Sequence, residues 1–533
     1  MSQLRRDLIF AFSLANLCFL RIWLPLVDPS TLFFLVRPTR SQYVAVMLAV
    51  GILGAILFSG LALVRRTQRP LVWWLARCIF AVLLLFPLNM VRGMFPDLVM
   101  FRLADRFGPW AVRATVVALG LLCAVVIVRW PTAFARAAAI VVVVLSPLAP
   151  IVLATGMWRV LHLQPESGYV GAARLAPRTG RPRVVWLVFD QLDERLAFVQ
   201  RPAFLKLPEL DRLRAESLFA ANAFSPADWT LQSLPSLITG KTVFEAKPGG
   251  DAELMVTYHG STQAVPWSGE PNVFARARRE GFNTALVGWE IPYCRILKGD
   301  LTFCASHLLG SGGQAGGLGS LVLRDFRGLV QWFPLGWRLR FTEDLAKRRG
   351  MHLGILDDAS RVATDPALGL VFVHWCIPHY PFLYSTRDQW AMDGSGNYLG
   401  NLLLVDRTLG ELRGAMERAG VWDSTTLLLS SDHALLLAPA EHTAPLWRNA
   451  QQTVDRSGID RRVPFLVKLA GHKTPLSFDS PLNTVLSSDL VVAVLRGNIA
   501  TPEDLSRWID QNRRYEPGMP ASKQAQGRIG RHP

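Results

Sequence analysis

Charged residues are scarce in this sequence. Of its 533 residues, 18% are charged and 50% are hydrophobic, whereas a soluble globular domain carries about 25% charged residues. This shortage excludes an ordinary soluble enzyme of this length and indicates that part of the chain is embedded in a membrane. The length itself allows two or three domains.

Signatures of nucleic-acid binding are also absent. The formal net charge is +16, but the sequence has no zinc-finger spacing, no RNA-recognition signature and no lysine-rich block. Arginines at the cytoplasmic ends of helices, together with a surface that meets anionic lipid headgroups, account for this charge. We therefore expect the lipid bilayer to be a partner, and we expect no nucleic acid.

Cysteine is sparse as well. The six cysteines form neither a C-x-x-C motif nor a zinc-binding cluster with histidine. Cys294 and Cys304 stand ten residues apart in a polar stretch. An oxidising compartment would allow these two residues to form a disulfide, and two free thiols are the alternative.

The first 155 residues contain five long apolar runs, each near the length that crosses about 30 Å of hydrocarbon. They lie at 8–26, 43–64, 71–90, 110–128 and 133–155. Four further runs follow the first and no small-residue cleavage site stands out, so a cleaved signal peptide is not expected. The sequence predicts a transmembrane domain of five helices over residues 1–155.

Arginines in the short loops predict the orientation of these helices. Arg5, Arg6 and the cluster from Arg65 to Arg69 lie on one side, and fewer uncompensated positive charges lie on the other. The bias favours a cytoplasmic N-terminus. Five spans then place the rest of the chain outside the cytoplasm, on a multi-pass protein of the inner membrane.

The pattern changes after a Gly-, Pro- and Arg-rich linker at 156–182. Near-continuous hydrophobic runs at 184–190, 284–289, 370–374, 426–432 and 463–468 alternate with amphipathic stretches at 208–217, 273–280 and 404–419. This alternation predicts an α/β domain over residues 183–510 with a mostly parallel central sheet. The polar residues 511–533 are predicted to be a disordered tail.

Two of the predicted strands end in an acidic residue. VVWLVFD ends at Asp190, and TLLLSSD ends at Asp432, which His433 follows directly. The carboxyl ends of parallel strands face a common crevice, where two carboxylates and an imidazole would bind a divalent cation. Either aspartate alone would be read as a helix cap or a turn residue, but the three together favour a metal site.

Two further blocks carry possible catalytic groups. A helix is predicted to begin near Thr230, whose hydroxyl would then lie at the positive end of the helix dipole, where an alkoxide or a phosphate is stabilised. His374 and His379 follow a strand and could bind phosphate oxygens or protonate a leaving group. A simple helix cap and ordinary loop histidines are the alternatives.

The blocks occur in a characteristic order, with Asp190 followed by Thr230 to Pro235 and then by H-x-x-x-x-H-x-P. Gly420-Val-Trp-Asp-Ser-Thr-Thr, Ser431-Asp432-His433 and Val463-Pro-Phe-Leu-Val-Lys come next. Over residues 183–500 they resemble the sulfatase-like branch of the alkaline phosphatase superfamily. The apolar segment ahead of them is similar to the anchor of bacterial phosphoethanolamine transferases and lipoteichoic acid synthases. The resemblance implies an α/β sandwich of the alkaline phosphatase and sulfatase type.

The resemblance also implies roles for individual residues. Asp190 matches the first acidic metal ligand, which is commonly Glu in the membrane-anchored relatives, and Asp432 with His433 matches their metal-binding pair. Thr230, five residues before a proline, matches the nucleophile and an oxygen ligand of the metal. His374 and His379 match paired histidines on the substrate side, and His442 is the nearest candidate for a further substrate-binding histidine.

Several positions depart from the family's pattern. Ala434 follows His433 where relatives have Gly and Glu, and Arg462 stands where they often have His. Formylglycine sulfatases need Cys or Ser two residues before Pro and an Arg after it. Ser233 fits, but Leu237 replaces the Arg, which favours Thr230 as the nucleophile. Gln191 follows Asp190 where a second carboxylate would support two metals, so one divalent ion is predicted. Zinc is the first choice, with manganese, calcium or magnesium as alternatives.

The sequence therefore predicts a metal-dependent enzyme that uses Thr230 on phosphate esters of lipid or glycan headgroups in the cell envelope. Phosphoethanolamine or phosphoglycerol transfer is the implied reaction type, and transfer to water would make the enzyme a hydrolase. Two alternatives stay open, a sulfatase or phosphodiesterase and a membrane regulator that keeps the fold without catalysis.

Overall fold

The structure of the protein is a computed structural model. It describes residues 3–67, 69–94, 129–162, 171–176, 180–310, 316–331, 337–435 and 461–514, together with isolated positions between 114 and 125.

Long apolar helices form the N-terminal part of the chain. In order they are α1 (Gln3–Val27), α2 (Pro29–Leu32), α3 (Arg40–Arg66), α4 (Pro70–Met94), α5 (Pro131–Val144) and α6 (Leu148–Leu161). Leucine, valine and alanine dominate these segments, and outward-facing side chains such as Ile56 and Ile140 are apolar and exposed. Helices that are apolar all round are typical of a membrane environment.

Three helical segments in the described part of the chain are long and apolar enough to cross a membrane. They are Gln3–Val27, Arg40–Arg66 and Thr132–Leu161, the last of which includes the break between α5 and α6. Helix α4 covers the predicted run 71–90, although only Pro70–Leu84 stands out there as an apolar helix of shorter length. The predicted run 110–128 falls largely outside the described residues, so the count of five spans stays a prediction.

An eight-stranded mixed sheet forms the centre of the second part. Its strands are β1 (Val184–Asp190), β2 (Leu218–Ala220), β7 (Asn283–Trp289), β8 (Phe303–His307), β9 (Leu368–Pro378), β12 (Thr426–Ser431), β13 (Phe465–Lys468) and β14 (Leu476–Phe478). The order across the sheet is β14-β2-β13-β12-β1-β9-β7-β8, and only β13 runs against the others. The predicted α/β fold with a mostly parallel sheet is confirmed.

Short strands form three smaller sheets outside the central one. They are β3 (Ala223–Phe224) with β15 (Leu482–Asn483), β4 (Val243–Pro248) with β5 (Leu254–Tyr258) and β6 (Val265–Pro266), and β10 (Tyr384–Ser385) with β11 (Gln389–Trp390).

Helices cover both faces of the central sheet. They are α7 (Pro208–Ala215), α8 (Thr230–Thr239), α9 (Val273–Arg279), α10 (Tyr293–Ile296), α11 (Leu318–Gln331), α12 (Trp337–Thr364), α13 (Tyr398–Arg418), α14 (Ser487–Leu495) and α15 (Pro502–Asn512). Short turns of 3₁₀ helix lie at Trp267–Gly269, Lys298–Asp300 and Thr484–Leu486, and a π-helical turn lies at Arg195–Val199. Every residue of β1 and β9 is buried, which explains why these strands read as unbroken hydrophobic runs.

Some predicted boundaries are wrong. β9 continues to Pro378, so His374 lies inside the strand and not beyond its end. The predicted strand 463–468 begins at Phe465. Residues 511–514 were predicted to be disordered, but α15 reaches Asn512, and Arg514 donates a hydrogen bond to the carbonyl oxygen of Gly240 at 2.6 Å. The rest of the tail lies outside the described residues.

The segment between α2 and α3 packs onto the α/β domain. Phe33 is fully buried in the hydrophobic core beside the sheet, and Val36 donates a backbone hydrogen bond to Leu309 at 3.0 Å. Arg295 on α10 donates to the carbonyl oxygens of Leu32 at 3.2 Å and of Leu35 at 2.8 Å. These contacts attach the end of the first long apolar helix to the segments that follow β7 and β8.

Candidate metal centre and nucleophile

Adjacent strands bring the two predicted aspartates together. β1 and β12 pair in parallel with Phe189 opposite Ser431, so Asp190 and Asp432 follow neighbouring strand ends. Both side chains are fully buried. Oδ1 of Asp432 accepts hydrogen bonds from the backbone N–H groups of Gln191 at 3.1 Å and of His433 at 2.7 Å, which leaves Oδ2 directed at the site.

Thr230 is the first residue of α8, as its position in the sequence predicts. The helix begins there because Trp229 has an extended backbone, and it ends at Gly240, which adopts a left-handed conformation. Oγ1 of Thr230 donates a hydrogen bond to Oδ2 of Asp432 at 2.8 Å and lies 3.5 Å from Nε2 of His433. The nucleophile candidate and the acidic cluster therefore share one pocket.

The orientation of His433 suits a metal ligand. Its Nδ1 lies 2.9 Å from the carbonyl oxygen of Ala434, which can only accept a hydrogen bond, so Nδ1 carries the proton and Nε2 presents its lone pair. Nε2 lies 3.7 Å from Oδ1 of Asp190 and 3.6 Å from Oδ2 of Asp432.

The donor set fits a divalent cation. Asp190, Asp432 and His433 each offer one ligand atom, and these atoms lie within 4.8 Å of one another. Neither carboxylate oxygen of Asp190 has a hydrogen-bond partner among the described residues, although the side chain is fully buried. Buried carboxylate oxygens are normally hydrogen-bonded or bound to a cation, so the unpaired oxygens of Asp190 match a metal site.

Crowding of negative charge points the same way. Burial raises the pKa of Asp190 well above its ordinary value, and the neighbouring carboxylates of Asp432 and Glu290 raise it further, while Arg348 lowers it. Two buried carboxylates that share one space cannot both ionise at low energetic cost without a positive partner. A bound cation supplies that partner and inverts the local pKa effect.

His374 lies close to this cluster on β9. It is fully buried, its Nδ1 lies 3.0 Å from the hydroxyl oxygen of Tyr293, and its Nε2 has no hydrogen-bond partner among the described residues. Burial lowers the pKa of His374 to about 4. The ring is therefore neutral near neutral pH. In this form it can donate one N–H hydrogen bond to a substrate oxygen, but it has no extra proton to transfer to a leaving group.

Of the other two predicted histidines, the structure describes only His379. His379 is half-buried beyond the end of β9, with its ring centroid 5.6 Å from that of Trp289 and its Nδ1 against the carbonyl oxygen of Tyr380. His442 lies outside the described residues. The roles of these two residues stay predictions.

Two charged residues near the site were missed at the level of sequence. Glu290 follows the end of β7 and is buried; burial raises its pKa to about 7, Arg348 lowers it and Asp432 raises it. Arg348, in the middle of α12, is also buried, and its guanidinium lies 4.1 Å from the ring centroid of Trp289. Nη1 of Arg348 has no hydrogen-bond partner among the described residues, so a positive N–H group remains available beside the carboxylates.

Cys294 and Cys304 are joined by a disulfide bond in the structure. The bond links α10 to β8, and the Ser306 hydroxyl donates a hydrogen bond to the Cys294 sulfur at 3.0 Å. Tyr293, which contacts His374, precedes Cys294 directly, and Arg295, which binds the segment after α2, follows it. The disulfide therefore fixes a short helix that contacts both the site and the segment between the apolar helices α1 and α3.

Comparisons with known proteins give likenesses of fold. No protein-family model and no curated protein matches the chain. Among solved structures, it is similar to a phosphonate monoester hydrolase of Agrobacterium radiobacter, with 14% identity over 59% of this chain and 74% of that chain and a TM-score of 0.39. An alkaline phosphatase superfamily protein from Vibrio parahaemolyticus shares 13% identity over 60% and 68% of the two chains, with a TM-score of 0.37.

A third similar structure is the PsFucS1 sulfatase from Pseudoalteromonas sp., with 15% identity over 59% of this chain and 68% of that chain and a TM-score of 0.41. All three TM-scores lie below 0.5, so the function has to be inferred from the side chains of the site.

Proposed function

We propose that the protein is a membrane-anchored, metal-dependent enzyme that uses Thr230 to transfer or hydrolyse the phosphoryl group of lipid or glycan headgroup esters. One observation carries this proposal. The hydroxyl of Thr230 lies 2.8 Å from Asp432, inside a buried cluster of Asp190, Asp432 and His433 whose geometry suits a divalent cation. A residue that only capped the helix would not need this surrounding donor set.

Asp190, Asp432, His433 and the Thr230 oxygen are the residues that would hold the ion. Zinc suits one imidazole with carboxylate oxygens, and a bound divalent ion would lower the pKa of the Thr230 hydroxyl and polarise the ester. Gln191 occupies the neighbouring position with an amide in place of a second carboxylate, which supports a single ion.

The other steps of the proposed reaction are carried out by side chains and backbone amides of the protein. The hydroxyl proton of Thr230 passes to water as Oγ1 attacks phosphorus; the Oγ1–P bond forms and the bond from phosphorus to the leaving oxygen breaks. The N-terminal amides of α8 and the guanidinium of Arg348 stabilise the charge on the phosphoryl oxygens. Neutral His374 donates an N–H to a substrate oxygen, and His379 or water protonates the leaving alkoxide. A second alcohol, or water, then attacks phosphorus; its O–P bond forms, the Oγ1–P bond breaks, and the proton of the acceptor returns to Oγ1 through water.

The placement of the site supports a lipid-borne substrate. Asp190 is the last residue of β1, and Asp432 and Glu290 directly follow β12 and β7, so all three lie at the carboxyl ends of parallel strands. The segment after α2 docks at the same edge of the sheet, because its partners Leu309 and Arg295 follow the carboxyl ends of β8 and β7. The edge that carries the site is thus the edge attached to the apolar helices, and a headgroup at the membrane surface would meet it directly.

The position of Ser233 speaks against the formylglycine type of sulfatase. Its side chain is fully buried within α8, and its hydroxyl donates to the carbonyl oxygen of Ala227 at 2.9 Å. The hydroxyl of Thr230, one turn earlier, contacts Asp432, which is one of the candidate metal ligands. An aryl sulfate therefore serves as the substrate that distinguishes a sulfatase from the proposed enzyme.

Replacing Arg348 by Met should weaken the use of anionic substrates without unfolding the protein. Loss of a charge-assisted hydrogen bond costs about 1.5–3 kcal/mol, so kcat/KM should fall by about 10- to 100-fold, with Arg348→Lys falling less. Steady-state kinetics and thermal unfolding of both variants check this expectation. Unchanged kinetics in Arg348→Met would show that the guanidinium does not contact the substrate.

The proposed reaction is tested by incubating the purified full chain with vesicles of headgroup-labelled phosphatidylethanolamine or phosphatidylglycerol, and separately with an aryl sulfate. We expect release of the labelled headgroup and a mass increment on the peptide that contains Thr230. Turnover of the aryl sulfate alone would overturn the phosphoryl-transfer proposal in favour of a sulfatase. No turnover in any arm would favour a regulator that has kept the fold without catalysis.

A further inference from the structure

Helix α11, between β8 and α12, connects the α/β domain to the apolar helices. It packs against α3 and α1. Val322, Phe326 and Leu329 of α11 join the hydrophobic cluster that Phe19 and Trp23 of α1 form with residues of α3. The rings of Phe326 and Phe19 meet edge to face, with centroids 5.4 Å apart. A helix of the second domain is therefore part of the apolar bundle.

The contacts give the depth of α11 along that bundle. Phe19 stands eight residues before Val27, where α1 ends, which corresponds to about 12 Å at 1.5 Å per residue. Gly328 lies against Ile22, about 7 Å from the same end. Helices that lie in a membrane interface insert about 5–10 Å past the headgroup boundary. Measured from the end of α1 as the membrane surface, the contacts of α11 lie about 7–12 Å deep, which overlaps this range and extends slightly beyond it.

Two leucines of α11 are exposed, Leu323 on its outward side and Leu318 at the amino end of the apolar stripe that packs on the bundle. Leu323 is 72% exposed and Leu318 is 40% exposed. In comparison, Val144 and Leu63, on the apolar helices, are 69% and 67% exposed. The exposed fraction of Leu323 is therefore as large as that of side chains on the candidate membrane spans. A leucine this exposed in water would leave apolar surface unburied.

The charged residues of α11 are placed where lipid headgroups could meet them. Arg324 and Arg327 are exposed on the same side of the helix as Leu323, and long arginine side chains can extend from an apolar surface to headgroup phosphates. The single acidic residue of the helix, Asp325, is buried against protein and lies 3.9 Å from Arg324, so no carboxylate is presented to the bilayer.

We propose that α11 lies in the outward-facing leaflet of the bilayer, with Leu318 and Leu323 among the acyl chains and Arg324 and Arg327 at the lipid phosphates. The α/β domain is then inserted into the membrane through its own helix, as well as tethered by the N-terminal segment. Because α12, which carries Arg348, packs against α11, insertion of α11 would hold the site close to the headgroup layer. This proposal concerns membrane contact and does not require the proposed reaction.

The test is the accessibility of a spin label in the full chain reconstituted in phosphatidylethanolamine and phosphatidylglycerol vesicles. Leu323→Cys is labelled in a background where Cys78 and Cys123 are replaced by Ala and the Cys294–Cys304 disulfide is kept. Leu63→Cys, on α3, gives the lipid-facing reference. Arg418→Cys, exposed at the end of α13 and next to the amino edge of the sheet, gives the water-facing reference.

The measured quantity is the ratio of the label's accessibility to oxygen, which partitions into lipid, to its accessibility to a water-soluble nickel complex. We expect this ratio at position 323 to equal that at position 63 and to be several-fold above that at position 418. A ratio at position 323 equal to that at position 418 overturns the proposal. Leu318→Cys repeats the measurement and decides the question where the first variant does not assemble. Because the readout needs no turnover, its failure is distinguishable from failure of the proposed reaction.

Discussion

Thr230→Ala should remove turnover of every ester substrate while the protein stays folded and keeps its metal. The substitution deletes the hydroxyl that donates to Asp432 at 2.8 Å, together with the γ-methyl group; Asp190, Asp432 and His433 remain in place. Loss of a catalytic nucleophile lowers kcat by about 10³-fold or more. Steady-state kinetics, metal content and thermal unfolding on the same preparation check each part of this expectation.

Two variants control this result. Thr230→Ser keeps a hydroxyl at the start of α8 and should retain measurable activity and the covalent mass increment. Ser233→Ala removes a hydroxyl one turn along the same helix, where it donates only to a backbone carbonyl, so it should affect stability more than rate. Wild-type turnover in Thr230→Ala would exclude Thr230 as the nucleophile.

Asp190→Asn should abolish stoichiometric metal binding and, with it, activity. The amide keeps the volume of the side chain but removes the charge of the ligand whose two oxygens are unpaired in the described structure. Chelation should lower the melting temperature of the wild-type protein, because a ligand at 100 times its Kd stabilises the folded state by about 2.7 kcal/mol. It should leave that of Asp190→Asn unchanged.

In the absence of metal, Asp190→Asn should not lower the melting temperature, although it replaces a fully buried residue. A buried carboxylate without a cation destabilises the folded state, so Asp190→Asn should unfold at the same or a higher temperature than the chelated wild-type protein. Elemental analysis after dialysis and calorimetry with and without chelator measure both effects. Full metal content in Asp190→Asn would show that Asp190 is not a ligand.

Asp193→Asn is a matched control three residues away. Oδ1 of Asp193 accepts a hydrogen bond from the backbone N–H of Leu196 at 3.0 Å and lies 3.8 Å from Arg195. These contacts are with Leu196 and Arg195 and not with the candidate metal ligands Asp190, Asp432 and His433. We expect the variant to lose stability and to keep its metal.

One rule of sheet geometry accounts for most of what the sequence predicts. Hydrophobic runs that are unbroken must be buried on both faces, which indicates a parallel sheet, and acidic residues at the ends of such runs must lie on one edge. That reasoning correctly placed Asp190 beside Asp432 and His433. Applied once more, it would have found Glu290, which follows the run that ends at Trp289.

Other parts of the site leave no local signal. Arg348 lies in the middle of a 28-residue helix, among several other arginines, and only the crossing of α12 over β7 brings it to Trp289. Tyr293 contacts His374 across 81 residues of sequence. Such contacts depend on how distant elements pack, which neither hydrophobic periodicity nor residue type encodes at the position itself.

The sequence also did not predict how the apolar helices pack against the α/β domain. Phe33 lies between two of the predicted apolar runs, and its side chain is buried in the core beside the sheet. No helix was predicted at the position of α11, and the apolar stripe of an amphipathic helix does not reveal whether its partner is a sheet or a long apolar helix.

The most direct test of the central claim is anomalous diffraction from crystals of the full chain, recorded above and below the absorption edge of the metal that it contains. We expect one peak at ordinary zinc-ligand distances, about 2.0–2.2 Å, from oxygens of Asp190 and Asp432 and from Nε2 of His433, with Thr230 Oγ1 adjoining it. A metal bound elsewhere, or Thr230 turned away from an occupied site, would contradict the claim.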